Sequence, residues 1–222
     1  MIKMVIFDLD GTLVNSLEDL AISVNYALKT AGLEERPAQN YKFYVGNGRD
    51  MLIKRAMGEA AGNKVLFEQV RKDYDSHYAV HSNDHTQAYS GCDKMLAGLA
   101  AKGIMTSVLS NKPHQFVAAI LNKLYPNHKF TVAWGQKPEY KCKPEPDALL
   151  AILRLCGVKP NECIYVGDSD VDVFTAKNAG VRMVGVSWGF RGREELMNAG
   201  APFVADNAEE LLEYISELNE QD

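Results

Sequence analysis

Residues 3–8 (KMVIFD) form a short apolar run that opens directly into an Asp-Gly-Thr turn. That is the pattern of a buried strand ending in a tight turn. From residue 17 the period changes. Leu17, Leu20, Ala21, Val24, Ala27, Leu28 and Ala31 recur at spacings of three and four, with Asn15 or Ser16 available as N-cap and Gly32 beyond the end. The pattern predicts a helix. A second helix is predicted from Arg49 (RDMLIKRAM) and a third over 64–81, so residues 16–85 read as a helical block without a strand. After Gly91 the two periods alternate. Helices are predicted over 92–102, 113–124, 146–156, 171–179, 193–199 and 207–218. Short apolar strands at 104–109, 130–134, 162–167, 182–187 and 202–205 separate them. Mostly apolar strands alternating with helices predict an α/β fold, a parallel sheet with helices on both faces. The helical block then reads as an insertion after the first strand, with 1–15 and 86–222 as the α/β core domain.

Length, 222 residues, is awkward for one domain or two, and the insertion resolves it. Lysine and arginine total 24 and aspartate and glutamate 29, a net charge of −5. A mildly acidic chain lacks the basic footprint of a nucleic-acid binder. No apolar run approaches the ~18–20 residues of a membrane span. The opening MIKMVIFDLD has too short an apolar stretch for a signal peptide, and the four cysteines show no C-x-x-C pair or zinc spacing. A reduced, cytoplasmic protein is expected.

Ligands of open α/β sheets bind at the carboxyl ends of the strands. The first predicted strand ends in Asp8-Leu9-Asp10-Gly11-Thr12, the second in Ser110-Asn111, and the fourth in Gly167-Asp168-Ser169-Asp170-Val171-Asp172. The segment after the third leads to Lys143-Pro144. If the strand conformation continues through them, Asp8 and Asp10 project to the same side. Two carboxylates so close, with Asp168 added, cannot all stay charged without a counter-charge. A hard divalent cation such as Mg²⁺ resolves this, because it takes carboxylates together with substrate phosphate oxygens. Lys137 and Lys141 compete with Lys143 for the role of site lysine, and the following Pro144-Glu145-Pro146 selects Lys143.

FDLDGTL, a strand ending in SN, then KP, then GDSxxD, in this order, resembles the haloacid dehalogenase superfamily of phosphohydrolases over essentially the whole chain. The segments YVGNGRDMLIKRA (44–56) and VSWGFRGREEL (186–196) resemble its phosphoglycolate phosphatase branch. The resemblance implies a Rossmann-like core, with 16–85 as a small helical cap domain moving on hinges near 15–17 and 81–91. It implies Asp8 as nucleophile forming an aspartyl-phosphate and Asp10 as general acid and base. Mg²⁺ would be held by the Asp8 carboxylate, the Asp10 main-chain carbonyl and Asp168, with Asp172 orienting a bound water or Lys143 behind them. Ser110 and the Asn111 amide, with Gly11 and Thr12, would hold the phosphoryl oxygens, and Lys143 would balance charge.

Competing readings remain beside these roles. Asp168 also suits a helix N-cap, and Asp172 a first-turn acid. Arg49 is either a solvated helix-start arginine or a cap residue reaching a substrate carboxylate or second phosphate. Asn15 stands where the family pattern often has aspartate. Lys54 and Arg55 read as a solvated face, Trp188 and Phe190 as loop-shaping, and Cys142 as an ordinary thiol. His77, His81 and His85 have no supporting acid at a metal-type offset. The implied activity is a Mg²⁺-dependent phosphatase on a small phosphorylated metabolite, 2-phosphoglycolate favoured. Sugar phosphomutase, pyrophosphatase or broad sugar-phosphate phosphatase, and a phosphate-binding adaptor are the alternatives. The partner is a small phosphate ester, and monomer and homodimer are both compatible.

Overall fold

The structure is a computed structural model that describes residues 1–220. The strands are β1 (Met4–Phe7), β2 (Val14–Asn15), β3 (Gln87–Ala88), β4 (Met105–Pro113), β5 (Val132–Gln136), β6 (Cys163–Gly167), β7 (Arg182–Val186) and β8 (Val204–Ala205). The helices are α1 (Leu17–Thr30), α2 (Tyr41–Tyr44), α3 (Arg49–Met57), α4 (Lys64–His81), α5 (Cys92–Ala101), α6 (His114–Leu124), α7 (Asp147–Cys156), α8 (Asp170–Ala179), α9 (Gly192–Ala199) and α10 (Ala208–Glu220).

Six strands form one parallel sheet in the order β5-β4-β1-β6-β7-β8. The two-residue alternation is visible in β1. Val5 and Phe7 join one apolar cluster and Met4 and Ile6 the other, so both faces of the sheet are buried. After β1 the chain builds β4 and then β5 on one side, and returns through α7 to place β6 on the other. The carboxyl ends of β4, β1 and β6 therefore flank a topological switch point, where a crevice opens.

Helix α1 buries Leu20, Ala21, Val24, Ala27 and Leu28, the stripe its periodicity predicts, and packs along α4. The α4 residues Val70, Tyr74 and Tyr78 continue the apolar cluster on one sheet face, so residues 16–85 share buried surface with the sheet. Two further features escape the periodicity. Helix α2 and 3₁₀ turns at Ala38–Asn40 and Gly58–Gly62 are too short to establish a period. A second, antiparallel sheet pairs Val14 with Ala88 and Asn15 with Gln87, and so ties together the two segments that enter and leave the helical block. Nearby, the buried Asp19 carboxylate accepts from the amides of His85 and Thr86 and from the Thr86 hydroxyl. No helix among the described residues is long and apolar enough to cross a membrane.

Candidate active site

The Asp8 amide donates to Val166 O at 2.8 Å, so the chain leaves β1 still in register with β6. The amides of Thr12, Leu13 and Val14 then all donate to Leu9 O, which closes a tight loop at the sheet edge. Gly11 has φ of +88° within this loop, and a Cβ there would lie 2.3 Å from an Asp168 carboxylate oxygen. The glycine is needed both for its left-handed backbone and for the approach of that acid. Asp8 and Asp168 are both buried.

Asp8 faces Lys143, whose Nζ lies 2.9 Å from Asp8 Oδ1 and 2.7 Å from Asp172 Oδ1. The same ammonium donates to the Tyr165 hydroxyl at 2.9 Å. Burial opposes the lysine charge, but the Asp172 and Asp8 carboxylates outweigh it and hold the lysine charged. Asp172 is fully buried, and its second oxygen accepts from the Ser169 amide and hydroxyl in a capping box at the start of α8. Asp172 is therefore a first-turn acid of α8 that also pairs with the Lys143 ammonium. Gly167 makes this possible, because a Cβ there would lie 2.2 Å from Asp172 Cγ.

Asp168 Oδ2 accepts from the Phe190 amide at 2.7 Å, and Trp188 Nε1 donates to Thr12 O at 3.0 Å. The loop between β7 and α9 thus clamps the Asp168 side of the crevice. Of the two loop residues expected at the phosphoryl group, the Gly11 amide donates to Val14 O at 2.9 Å. The Thr12 hydroxyl is directed at Asp168 Oδ1 at 3.4 Å.

Strand β4 runs longer than its apolar core. A register irregularity against β5 between Leu109 and Pro113 releases Ser110, Asn111 and Lys112 from the regular ladder, and all three are buried at the crevice. Asn111 accepts from the Lys143 amide at 2.8 Å and donates to Lys143 O at 3.0 Å and to Gly46 O at 2.9 Å. It therefore fixes the Lys143 segment and also touches the 41–48 loop. Ser110, Asn111, Lys112, Asp8, Asp10, Arg49 and Tyr74 line one cleft. Arg49 lines it while pairing with Asp75 (2.8 Å) and Asp50 (2.8 Å).

Asp10 points away from Asp8's lysine. It accepts from the Ser16 hydroxyl and from Lys112 Nζ, at 3.0 Å to Oδ1 and 3.2 Å to Oδ2. Ser16 therefore does not cap α1 with its side chain, and Asn15 Oδ1 accepts the Leu17 amide instead, at 3.3 Å. Lys112 also donates to the Tyr78 hydroxyl at 2.6 Å. Lys112, Tyr78 and Tyr165 are site residues that the sequence reading missed. The available signal was a lysine continuing an apolar strand, where alternation alone leaves no solvent for it. Arg55, read as solvated, holds Tyr44 O and Asn47 Oδ1 at 2.9 and 2.7 Å. The His77 and His81 rings lie 4.4 Å apart, and their Nδ1 atoms face Ser23 Oγ and Asp84 Oδ2 respectively.

Asp8, Asp168 and Asp172 each offer a carboxylate oxygen, all within 4.8 Å of one another. Burial pushes Asp8 up to about 7 from an ordinary 3.8, against the pull of Lys143, and pushes Asp168 well above that ordinary value. Asp8 Oδ1 is buried without an aligned hydrogen-bond donor, since the Lys143 contact is an ion pair off the bonding line. With Asp172 already saturated by lysine, tyrosine and serine donors, Asp8 and Asp168 remain as an under-compensated pair of hard oxygen donors. That set fits a small hard divalent cation.

The sequence model of the haloacid dehalogenase-like hydrolase family matches residues 5–186. A phosphoglycolate phosphatase of Vibrio parahaemolyticus is 33% identical over 220 residues, covering 97% of this chain and 96% of that protein. A phosphoglycolate phosphatase of Mannheimia succiniciproducens is 31% identical over 219 residues, covering 96% of this chain and 98% of that one. The crystal structure of a predicted phosphoglycolate phosphatase from Haemophilus somnus superposes with a TM-score of 0.88 at 29% identity, covering 96% of this chain and 98% of that one.

Proposed function

From the premise that the chain belongs to the haloacid dehalogenase-like hydrolase family, we propose that it is a Mg²⁺-dependent phosphatase of 2-phosphoglycolate working through an aspartyl-phosphate. The observation that carries this reading is the buried convergence of Asp8, Lys143, Asp168 and Asp172 at the carboxyl ends of β1 and β6.

Asp8 is the nucleophile: one carboxylate oxygen bonds to phosphorus while the ester O–P bond breaks. Lys143 lies against that carboxylate and offsets the charge that gathers on the aspartate and the phosphoryl oxygens. Ser110 and the Asn111 amide hold those oxygens from the β4 side. Asp10 gives a proton to the leaving alkoxide, then takes one from the water that attacks phosphorus, which releases phosphate and frees Asp8. Mg²⁺ would be held by the Asp8 and Asp168 carboxylates and the Asp10 main-chain carbonyl, and when bound it neutralises acids and polarises the phosphoryl group. Asp172 holds Lys143 in place. Arg49, on the helical side of the cleft, meets the substrate carboxylate.

Residues 16–85 act as a cap over this site, moving on the segments near 15–17 and 81–91. The reading is tested by measuring phosphate release from 2-phosphoglycolate, pyrophosphate and hexose phosphates with and without Mg²⁺. Fastest turnover of 2-phosphoglycolate, lost in EDTA, is expected. An isomeric sugar phosphate produced without phosphate release would replace this reading with a mutase.

A further inference from the structure

The two site aspartates each have a lysine, and only one of the two lysines belongs to the machinery above. Lys112 is buried, 5% exposed, in the part of β4 that has left the ladder. Its ammonium has three donors and no acceptor capacity. One side grips both oxygens of Asp10 at 3.0 and 3.2 Å, and another donates to Tyr78 OH at 2.6 Å. Tyr78 belongs to α4, is fully buried, and is fixed by its own packing. It stacks on Tyr74 with centroids 5.2 Å apart and meets the Phe116 ring edge-on at 5.0 Å. Asp10 has one further side-chain holder, the Ser16 hydroxyl. A buried ammonium is costly unless paired, so a lysine here has to be satisfied by these partners and holds them in return.

We propose that Lys112 is a positioning residue for Asp10. It sets the carboxylate on the leaving-group side of the cleft and takes its own position from Tyr78 of the helical block. The inference rests on the acid role of Asp10 proposed above. Removing the lysine leaves Asp10, among the described residues, with the Ser16 hydroxyl as its side-chain partner, free to take rotamers that no longer face the leaving oxygen.

A role exercised through leaving-group protonation depends on the leaving group, whereas a merely structural defect lowers all substrates alike. Lys112→Met, Tyr78→Phe and Asp10→Asn are compared on 2-phosphoglycolate, an alkyl ester, and on p-nitrophenyl phosphate, whose phenolate leaves without a proton. General acid–base contributions are about 10²–10⁴-fold, so Lys112→Met is expected to lose about 10²-fold in kcat/KM on the alkyl ester and under about 5-fold on the aryl ester; kcat/KM reports the steps up to alcohol release and leaves out the later hydrolysis of the aspartyl-phosphate, which both esters share. Tyr78→Phe, which removes one hydroxyl and keeps the ring packing, is expected to show the same selectivity at a few-fold, and carries the test if Lys112→Met does not fold. Equal losses in kcat/KM on both esters, or none on either, overturn the inference while a selective loss in Asp10→Asn leaves the mechanism standing. If Asp10→Asn itself shows no leaving-group dependence, the acid role fails and the inference with it.

Discussion

The Asp8 and Asp10 pockets lie two residues apart in sequence and are built from different parts of the molecule. Asp8 is surrounded by Lys143 from the loop between β5 and α7, Tyr165 inside β6 and Asp172 in the first turn of α8, all from the α/β portion. Asp10 is held by Lys112 from β4, by Ser16 at the entry to the helical block, and through Lys112 by Tyr78 inside it. The side chains that hold Asp8 thus come from the α/β portion, whereas the Asp10 side is completed by residues 16–85. Under the proposed mechanism, changes in that block act on the leaving-group side before the attacking side.

The largest effect is expected on the Asp8 side. Lys143→Met leaves Asp8 and Asp172 buried without their shared cation. Stability should fall by about 3–5 kcal/mol, as for other broken buried pairs, and turnover should be lost. Chemical denaturation and steady-state assays check both, and a variant of unchanged stability would break the contrast drawn here. Next comes Gly11→Ala, which forces a Cβ into the Asp168 carboxylate from a left-handed backbone. Loss of Mg²⁺-induced thermal stabilisation in a still-folded variant is expected, read by calorimetry.

A third prediction concerns pH. Burial pushes the Asp8 carboxyl up to about 7 from an ordinary 3.8. The folded chain keeps a proton that the unfolded chain sheds, so this group's stabilising effect is complete below 3.8 and lost as pH rises through about 7. Mg²⁺ competes with that proton, so the rise in Tm on adding Mg²⁺ should be larger at about pH 8 than at about pH 5.5. The smallest effect is expected at Arg191, which donates to Phe43 O at 3.3 Å and Val45 O at 3.2 Å across the cleft rim. Arg191→Ala should raise KM by a few-fold with kcat nearly kept, because only the seating of the 41–48 loop is loosened.

The sheet was legible because each strand is an apolar run and each helix a stripe. Helices α3 and α4 follow the predicted boundaries at Arg49–Met57 and Lys64–His81. The acids stood out because charged residues at strand ends have few structural reasons to be there, and Lys143 because of the Pro144-Glu145-Pro146 that follows it. Lys112 was illegible for the opposite reason: its pairing depends on Asp10 and Tyr78, 102 and 34 residues away, and on a β4 irregularity that no period announces. The Gly11 and Thr12 contacts were illegible because a turn's donors serve either a ligand or the turn itself, and the bond from the Gly11 amide to Val14 O depends on the closed loop.

The central claim is that Asp8 attacks phosphorus. Its most direct measurement is phosphate release from 2-phosphoglycolate by Asp8→Asn with saturating Mg²⁺, in a preparation free of contaminating phosphatase. The amide keeps the shape and removes the nucleophile, so a loss of more than about 10³-fold with the fold intact is predicted. Turnover near that of the unaltered protein would contradict it.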